Sequence, residues 1–243
     1  MLAMRRSQHG FEALETCATC AWRTDRYFCA ISSQALEVFD RIAFTNVYPA
    51  GSVLFSEGEL PRAIHMLCKG MAKISIASHD GKTLITHIAH GGEVLGLASA
   101  ITGHDSRITA ETLEPSQVKI VRREDFLRLL GEHACVARQT SRQLADECEA
   151  WNDDVRAIGL SHSAAEKLAH LLLTWCDENG HETPAGTRIQ VLMTHHDISQ
   201  LIGTSRETVT RLLRAFREKG LISIKGSSFV IRNRTALETL MSM

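Results

Sequence analysis

The segment that most constrains the fold is THHDISQLIGTSRETVTRLLRAFREKGLI, residues 194–222. Ile198, Leu201 and Ile202 give a first short helix one apolar face, and Gly203 allows a tight turn after it. Ser205 is a suitable N-cap for a second helix. The inner face of that helix is predicted to consist of Val209, Leu212, Leu213 and Phe216. This spacing predicts a helix-turn-helix with one apolar core.

The outer face of the predicted second helix is polar and basic. Its first turns carry Arg206, Glu207, Thr208, Thr210 and Arg211. Arg can donate two hydrogen bonds to guanine, Glu can accept one from cytosine, and Thr can hold a phosphate. A helix with this face fits the major groove of DNA. The alternative is a plain helical hairpin with a charged, solvated face.

The flanking segments favour the DNA-binding interpretation. Thr194 and Asp197 form a capping-box pattern at the start of the first helix. The run LISIKGSSFVIRN, residues 221–233, predicts two short strands around Gly226, a wing from which Lys225 could reach a phosphate. Residues 205–234 carry eight Lys and Arg against two Glu, although the net charge of the chain is only −1. That local excess is suited to a polyanion.

Residues 47–121 read as short β-prone runs separated by glycines, such as VYPAGSVLFSEGE and AIHMLCKGMAKISIAS. Asp80-Gly81 is a hairpin signal between two of these runs. The pattern predicts a compact antiparallel barrel or roll. Together with the helical segments, it places the chain in the α+β class.

A long helix is predicted after the β-prone region. Apolar and small residues recur at steps of four and three, namely Ala137, Ser141, Leu144, Cys148, Trp151, Val155 and Ile158. This is the seam of a coiled coil of about three heptads, which predicts dimerisation through Leu144, Cys148, Trp151, Val155 and Ile158. A single buried helix would give a similar stripe.

The motif TSRETVTRLLRAFREKGLISIKG closely resembles the DNA-binding segment of the Crp/Fnr family. PAGSVLFSEGE and GGEVLGL resemble the cyclic-nucleotide-binding-type β-roll of that family, and the likeness covers about residues 17–235. The resemblance implies a homodimer with paired winged helices on a palindromic site of double-stranded DNA. It also implies contact with RNA polymerase, near the loop 178–188.

The resemblance assigns roles to single residues. Arg206, Glu207 and Arg211 match base-reading positions, and this arrangement favours a TGTGA-like half-site. The phosphate-contacting positions are matched by Thr194, Ser205 and Thr208.

Five regions follow from the sequence and the resemblance. They are a cysteine-containing sensor segment (1–40), a β-roll effector domain (41–133), a dimerisation helix (134–160), a winged helix-turn-helix (161–235) and a C-terminal tail (236–243).

Cyclic AMP is not expected to bind the roll. In relatives that bind it, an Arg-Ser pair meets the cyclic phosphate. This chain keeps Gly92 and Glu93 but has His104 and Asp105 where the pair should fall. An aspartate would repel the phosphate, although Arg107 is nearby. The retained glycines are expected to serve turns.

The run CATCAWRTDRYFC, residues 17–29, holds three cysteines. Oxygen-sensing Crp/Fnr proteins hold a 4Fe-4S cluster with an N-terminal cysteine cluster and a fourth cysteine in the roll. Cys17, Cys20 and Cys29 match that cluster in position, but Lys119 lies near the place of the fourth ligand. Cys68 is a candidate for the fourth ligand.

Other interpretations of these cysteines remain open. The fourth ligand could be Asp25, a histidine or an exogenous thiol, and zinc could replace iron with His9 as a ligand. A thiol-disulfide switch, or no site at all, is also consistent with the sequence. Cys68 and Cys176 fit ordinary core packing as well.

Several function classes are excluded or disfavoured. The longest apolar runs are far shorter than the roughly 20 residues that cross a bilayer, so we expect a cytoplasmic protein without a membrane partner. The chain has no phosphate-binding glycine loop, no nucleophile elbow and no HExxH motif, so an enzyme is not expected. The competing hypothesis is a regulator of the same family that is controlled by a small ligand in the roll and has no metal cluster.

Overall fold

The computed structural model describes residues 16–25, 27–160 and 163–241, which fall into two compact units, Met1–Ala150 and Trp151–Met243. In the described ranges, a 3-10 helix spans Tyr27–Ala30. The α-helices are α1 (Ser33–Ile42), α2 (Leu97–Thr102), α3 (Arg123–Glu132), α4 (Ala134–Leu160), α5 (Ala164–Asn179), α6 (His195–Leu201), α7 (Arg206–Glu218) and α8 (Arg234–Leu240). The strands are β1 (Ala43–Tyr48), β2 (Val53–Phe55), β3 (Ala63–Lys69), β4 (Ala72–Ala77), β5 (Thr83–Ala89), β6 (Val94–Leu95), β7 (Thr109–Thr112), β8 (Ser116–Arg122), β9 (His181–Thr183), β10 (Gly186–Gln190), β11 (Ile222–Lys225) and β12 (Ser228–Ile231).

The first unit contains the predicted antiparallel roll. Its two four-stranded sheets have the orders β1-β8-β3-β6 and β2-β7-β4-β5, and every neighbouring pair is antiparallel. A core of small and aliphatic side chains draws on both sheets, namely Leu67, Ala72, Ile74, Ala89, Leu95, Ala110 and Val118. Gly81 has a φ of 79°, which suits the hairpin turn between β4 and β5 predicted from Asp80-Gly81.

The segment before the roll is packed into the same unit. Phe28, Phe39 and Phe126 are fully buried, and the ring of Phe28 lies about 6 Å from each of the other two. Cys17 and Cys29 belong to the same apolar cluster. The part of the predicted sensor segment that the structure describes is therefore part of the core of the roll unit. Residues 1–15 lie outside the described ranges.

Helix α4 spans the region where the sequence predicts a long helix. Leu144 is half-buried against the apolar core of the roll unit, whereas Cys148 is exposed. Trp151 and Val155 are 47% and 68% exposed in the single chain. The side chain of Ile158 lies outside the described residues. The predicted seam therefore has two parts. Leu144 contacts the core of the roll, whereas Trp151 and Val155 form an apolar face that is open to solvent in the single chain. No described helix is both long enough and apolar enough to span a membrane.

The second unit is a winged helix with a larger sheet than the sequence suggests. The sheet order is β11-β12-β10-β9. The sequence predicts a polar loop where β9 and β10 form a hairpin. Gly186 explains why the hairpin fits, because a Cβ there would lie 2.1 Å from the carbonyl oxygen of Ile231 on the neighbouring strand. Short polar strands of this kind carry no alternating pattern that sequence could detect.

The described part of the predicted C-terminal tail (236–243) is packed into the second unit, and residues 242–243 lie outside the described ranges. Residues 236–240 lie in α8, and Leu237 is fully buried in the winged-helix core. Arg234 makes a two-pronged ion pair with Asp177 at 2.6 and 3.1 Å, which joins α8 to α5. The two compact units divide between Ala150 and Trp151, inside the predicted dimerisation helix (134–160).

Candidate nucleic-acid interface and thiol site

Helix α6 begins with the predicted capping box. The backbone N–H of Asp197 donates to Thr194 Oγ1 at 3.1 Å, and the backbone N–H of Thr194 donates to Asp197 Oδ2 at 2.9 Å. Ile198 and Ile202 are buried, and Gly203 follows with a φ of 63°. The first helix and the turn are therefore built by the residues that the sequence singles out.

Helix α7 begins where Ser205 caps it. Ser205 Oγ accepts from the backbone N–H of Thr208 at 3.2 Å. Val209, Leu213 and Phe216 are buried on the inner face, as predicted, and Leu212 is half-buried. This packing holds the opposite face of α7 toward solvent.

The exposed face of α7 carries the predicted base-reading residues together. Arg206, Glu207 and Arg211 are exposed, and they line one shallow groove with Thr210 and Arg214. The pKa of Glu207 is lowered, first by its own backbone N–H at the start of the helix and then by the hydroxyl of Ser205. Glu207 is therefore an anion that can accept hydrogen bonds at neutral pH.

The sequence did not single out Arg214, which lies two turns after Arg206 and forms an ion pair with Glu218 at 2.8 Å. The i, i+4 spacing on α7 was the signal that could have placed it in the groove.

A hydrogen bond joins the two helices of the motif at this face. His195 Nδ1 on α6 lies 2.9 Å from Thr210 Oγ1 on α7, and the Thr210 hydroxyl donates to the carbonyl of Arg206 at 2.9 Å. Because the single hydroxyl proton goes to Arg206, the oxygen of Thr210 accepts from His195 Nδ1–H. His195 Nδ1 therefore carries a proton, and His195 holds the side chain of Thr210 in place.

The predicted wing is present, and its residue Lys225 is exposed. Strands β11 and β12 pair from Ile222–Ile231 to Lys225–Ser228, and Gly226 at their turn has a φ of 60°. Lys225 is exposed at the end of β11. Thr194 and Ser205 are also exposed, and Thr208 is half-buried. The positions expected to contact phosphate are thus accessible apart from the partly covered Thr208.

Four cysteines line a second site, in the first unit. Cys17, Cys20, Cys29 and Cys68 border one cleft, together with Lys119. The first three come from the loop and 3-10 helix before α1, and Cys68 comes from β3. The candidate fourth cysteine is thus brought to the other three by the fold.

A bulge in β3 lies at Cys68. Leu67 pairs with Val118 and Lys69 pairs with Gln117, so that Cys68 is the extra residue between two adjacent rungs of the ladder. Strand β8 therefore provides a lysine at the cleft, and the neighbouring β3 provides the cysteine.

The thiols in the cleft are strongly perturbed. Burial raises the pKa of Cys17 to about 12, against the opposing charge of Lys119. Burial also raises the pKa of Cys68 to about 12, again opposed by Lys119. As free thiols both would be protonated at neutral pH, and a metal would have to displace those protons.

The cleft between the cysteines is nearly closed. Its volume is about 20 Å³, which is room for about one water molecule. In the described ranges no group of three or more His, Cys, Asp or Glu side chains is arranged to hold a metal ion. The donor set of four thiols suits iron or zinc chemically, but the four side chains are not arranged around a metal position in this structure. The turn hydrogen bonds of the cysteine loop, from Cys20 N to Cys17 O and from Arg23 N to Cys20 O, are long at 3.4 Å each.

An ion pair lies under the cysteines. Lys119 Nζ on β8 binds Asp40 Oδ1 on α1, and the backbone N–H of Cys17 donates to Asp40 Oδ2 at 2.6 Å. Burial by itself lowers the pKa of Lys119, but the hydrogen bond to Asp40 and the negative charge of Asp40 oppose it, and the pKa is raised. Lys119 is therefore a cation in the cleft.

Comparison with protein families decides the identity. The Crp-like helix-turn-helix domain matches residues 166–240, and the cyclic nucleotide-binding domain matches residues 45–133. The chain belongs to the Crp/Fnr family.

Characterised relatives agree with that assignment. The cyclic AMP receptor protein of Thermus thermophilus is 25% identical over 206 residues, which covers 85% of this chain and 90% of that protein. The anaerobic regulatory protein of Bacillus subtilis is 23% identical over 84% of this chain and 86% of its own length. The structure of FixK2 from Bradyrhizobium japonicum is similar with a TM-score of 0.70 and 25% identity, over 82% of this chain and 97% of that one.

Membership confirms the central predictions. The chain is a Crp/Fnr-type DNA-binding transcription regulator of the α+β class, and it is not an enzyme. The winged helix matches the Crp-like helix-turn-helix domain, and the β-roll matches the cyclic nucleotide-binding domain.

The segment of the roll that resembles a cyclic-nucleotide-binding site includes Gly92 and Glu93, and Glu93 makes hydrogen bonds within the roll. Glu93 is buried, where Oε2 lies 2.7 Å from His87 Nε2 and Oε1 accepts from the backbone N–H of His90 at 2.9 Å. His104 and Asp105 are exposed. Gly92 has a φ of 99°, so it has the turn conformation that the sequence predicts for it.

Proposed function

We propose that this Crp/Fnr regulator acts as a cytoplasmic homodimer that reads a TGTGA-like palindrome and responds to redox state or oxygen. The cofactor in this proposal is a 4Fe-4S cluster held by Cys17, Cys20, Cys29 and Cys68. The observation that carries the proposal is the convergence of these four cysteines on one cleft. When bound, such a cluster supplies one-electron redox chemistry and sensitivity to dioxygen.

The proposal for DNA reading rests on the exposed face of α7. Arg206 and Arg211 offer guanidinium forks to guanine, and Glu207 offers an ionised acceptor to cytosine, all in one groove. Two such faces related by a two-fold axis would read two half-sites of a palindrome. Thr194, Ser205, Thr208 and Lys225 would contact phosphates and set the register.

The proposal for dimerisation rests on α4. Trp151 and Val155 leave a large apolar area open to solvent, on the face where the heptad positions fall. A second copy of the same helix would cover that face. Contact with RNA polymerase near residues 178–188, now described as the end of α5 and the β9–β10 hairpin, is also part of this proposal.

Signal transmission would follow the same helix. Helix α4 starts in the unit that holds the cysteine cleft and ends in the unit that holds α7. A change in the cysteine loop would alter how the roll holds α4, and the altered helix pair would re-aim the recognition helices.

Anaerobic purification tests the cofactor proposal. We expect a brown protein with about four iron and four sulfide per chain, whose visible absorption bleaches in air. Cys68→Ser should lose iron, whereas the matched control Cys176→Ser, a buried cysteine in the other unit, should keep it. A colourless wild-type protein, or full iron content in Cys68→Ser, would contradict the proposal.

A second candidate function keeps the same DNA interface but places the signal in the roll. The match of residues 45–133 to the cyclic nucleotide-binding domain favours it. In that case DNA binding to a TGTGA duplex would be the same before and after exposure to air. Zinc in the cleft, at one ion per chain, would also separate this candidate from the iron-sulfur proposal.

A further inference from the structure

We propose that Thr210 is a further base-reading residue of α7 and that His195 on α6 positions it, so that Thr210 selects an A·T base pair in each half-site. This inference deepens the proposed DNA reading by α7 and rests on it, and it involves no other site of the molecule. His195 is a positioning residue here, because it acts through Thr210 rather than by touching a base.

Thr210 lies on the face of α7 that is proposed to read DNA. It is exposed and lines the same shallow groove as Arg206, Glu207 and Arg211. Thr210 follows Arg206 by four positions and Glu207 by three, and side chains at these spacings are neighbours on one face of a helix. Thr210 therefore faces the same groove of DNA as the residues proposed to read guanine and cytosine.

The hydroxyl of Thr210 has two partners. It donates to the backbone carbonyl of Arg206 at 2.9 Å, and its oxygen accepts from His195 Nδ1–H at 2.9 Å. A hydroxyl has one proton to donate and two lone pairs with which to accept. The proton and one lone pair are used within the protein, so one lone pair is left for a base.

The bond from His195 selects the rotamer of Thr210. A threonine in a helix divides between two χ1 rotamers, because its oxygen can bond a carbonyl of the preceding turn. His195 lies on the other helix of the motif, so its bond is made only while the oxygen of Thr210 points toward α6. The bond therefore stabilises the observed rotamer over the one in which the oxygen leaves that position.

The same bond contributes little to holding the two helices together. Ile198 of α6 is buried in one apolar cluster with Val209 and Leu213 of α7. The bond between His195 and Thr210 lies at an exposed position, where water can replace either partner. A neutral hydrogen bond of this kind gives little net stability. Its main consequence is therefore the geometry of the reading face.

A fixed threonine is more selective than a mobile one. A rotating hydroxyl can donate to a base edge or accept from it, so it suits any base. Held as in this structure, the oxygen of Thr210 can only accept, and the side chain also has a methyl group for apolar contact. An A·T pair offers the adenine amino group and the thymine methyl group, whereas a G·C pair has no methyl group and two acceptors on guanine. We therefore expect A·T to be preferred over G·C.

The experiment measures base preference at each position of the binding site. The full-length wild type first selects its half-site from a pool of palindromic duplexes that are randomised in both half-sites, under nitrogen or in air, whichever gives tighter binding. Fluorescence anisotropy then gives the affinities for the selected duplex and for duplexes with one base pair changed in each half-site. The readout is the ratio of these affinities, because a loss shared by all duplexes cancels.

Thr210→Val replaces the hydroxyl by a methyl group of similar size. We expect it to lower the preference at one A·T base pair from about tenfold to about twofold, with the other positions unchanged. His195→Leu should lower the preference at that same base pair. Added to Thr210→Val, it should have no further effect there, because the two residues act as a unit.

Two conservative variants separate positioning of Thr210 from a direct contact of His195 with DNA. The amide nitrogen of Asn lies near the place of imidazole Nδ1, and that of Gln lies near the place of Nε2. His195→Asn should therefore keep the preference at the Thr210 base pair, and His195→Gln should lose it. The reverse order would assign His195 to a phosphate contact and overturn the inference. His196→Leu is the matched control, an exposed neighbour on α6 whose ratios should equal those of wild type.

Four further results would overturn the inference. They are wild-type ratios in Thr210→Val, wild-type ratios in His195→Leu, a G·C pair at the affected position, and an effect of His195→Leu that persists in the Thr210→Val protein. The proposed half-site is judged separately, by the sequence that wild type selects. A half-site other than TGTGA overturns that assignment alone, since the variants are compared on the selected duplex. A wild type that selects no sequence overturns both proposals.

Discussion

The side-chain amide of Gln143 on α4 binds both backbone groups of Val94 on β6. Gln143 Nε2 donates to the Val94 carbonyl at 2.7 Å, and Gln143 Oε1 accepts from the Val94 N–H at 3.1 Å. Gln143 is 1% exposed, and its Nε2 also donates to Glu147 at 2.8 Å. The first half of the long helix is thus attached to the roll through the roll's own backbone.

Replacement of Gln143 by Ala should destabilise the roll unit. The change leaves a buried N–H and a buried carbonyl of Val94 without a partner, which costs about 1–3 kcal/mol for each unsatisfied group. Urea unfolding followed by circular dichroism measures the loss. Gln139→Ala is the matched control on the same helix, because the buried Oε1 of Gln139 has no partner in the described structure and the change should cost less. Equal losses in both variants would contradict the role of the Gln143–Val94 bonds.

Dimerisation is best tested at Val155. Leu144 packs against the roll core, so a charge there would disturb folding as well as association. Val155 is 68% exposed in the single chain, so Val155→Glu should leave the fold intact and place a carboxylate in the proposed dimer seam. We expect a monomer by analytical ultracentrifugation and a loss of binding to a TGTGA palindrome. Asp146→Lys, an exposed change on the opposite face of α4, should remain a dimer.

Tight palindrome binding by a monomeric Val155→Glu protein would show that the seam is misassigned.

The DNA-binding helices and the cysteine cleft show which features can be predicted from the sequence and which cannot. The caps at Thr194 and Ser205 and the inner face of α7 were predictable because they depend on residues three or four positions apart. The sequence could name Cys68 only as one candidate partner of the N-terminal cysteines, because its position depends on a bulge in β3 and on pairing between residues about fifty positions apart. From the sequence, Lys119 lies near the position expected for the fourth ligand. Only the fold shows that Lys119 forms an ion pair with Asp40.

Removal of Glu207 and removal of Lys225 should have different effects on DNA binding, because Glu207 is proposed to read a base and Lys225 to contact a phosphate. Glu207→Ala should cost about 1–3 kcal/mol on the preferred duplex and relax the preference at one base pair. Lys225→Ala should weaken all duplexes about equally and reduce the salt dependence by about one counterion. Competition binding with singly substituted TGTGA duplexes at several salt concentrations separates the two. An unchanged half-site preference in Glu207→Ala would remove that residue from base reading.

His65 on β3 should make the roll unit sensitive to acid. Burial lowers the pKa of His65 to about 4, although Glu59 opposes this, and the buried Nδ1 has no partner in the described structure. The folded state therefore prefers the neutral ring, whereas the unfolded chain takes up a proton below its ordinary pKa of about 6.5. Stability should be unaffected by His65 above that pH and should fall as the pH drops from about 6.5 to about 4. The loss at pH 4 is about 3 kcal/mol.

His65→Leu isolates this contribution from that of other titrating groups. The difference in unfolding free energy between the variant and wild type should become more favourable to the variant by about 2 kcal/mol from pH 7.5 to pH 5, since only the wild type has this ring to protonate on unfolding. Urea unfolding at the two pH values measures it. His79→Leu is the control, because His79 is exposed in the turn after β4 and makes no comparable buried contact. A difference between His65→Leu and wild type that does not change with pH would mean that His65 has the same pKa in the folded and unfolded states, which would contradict the prediction.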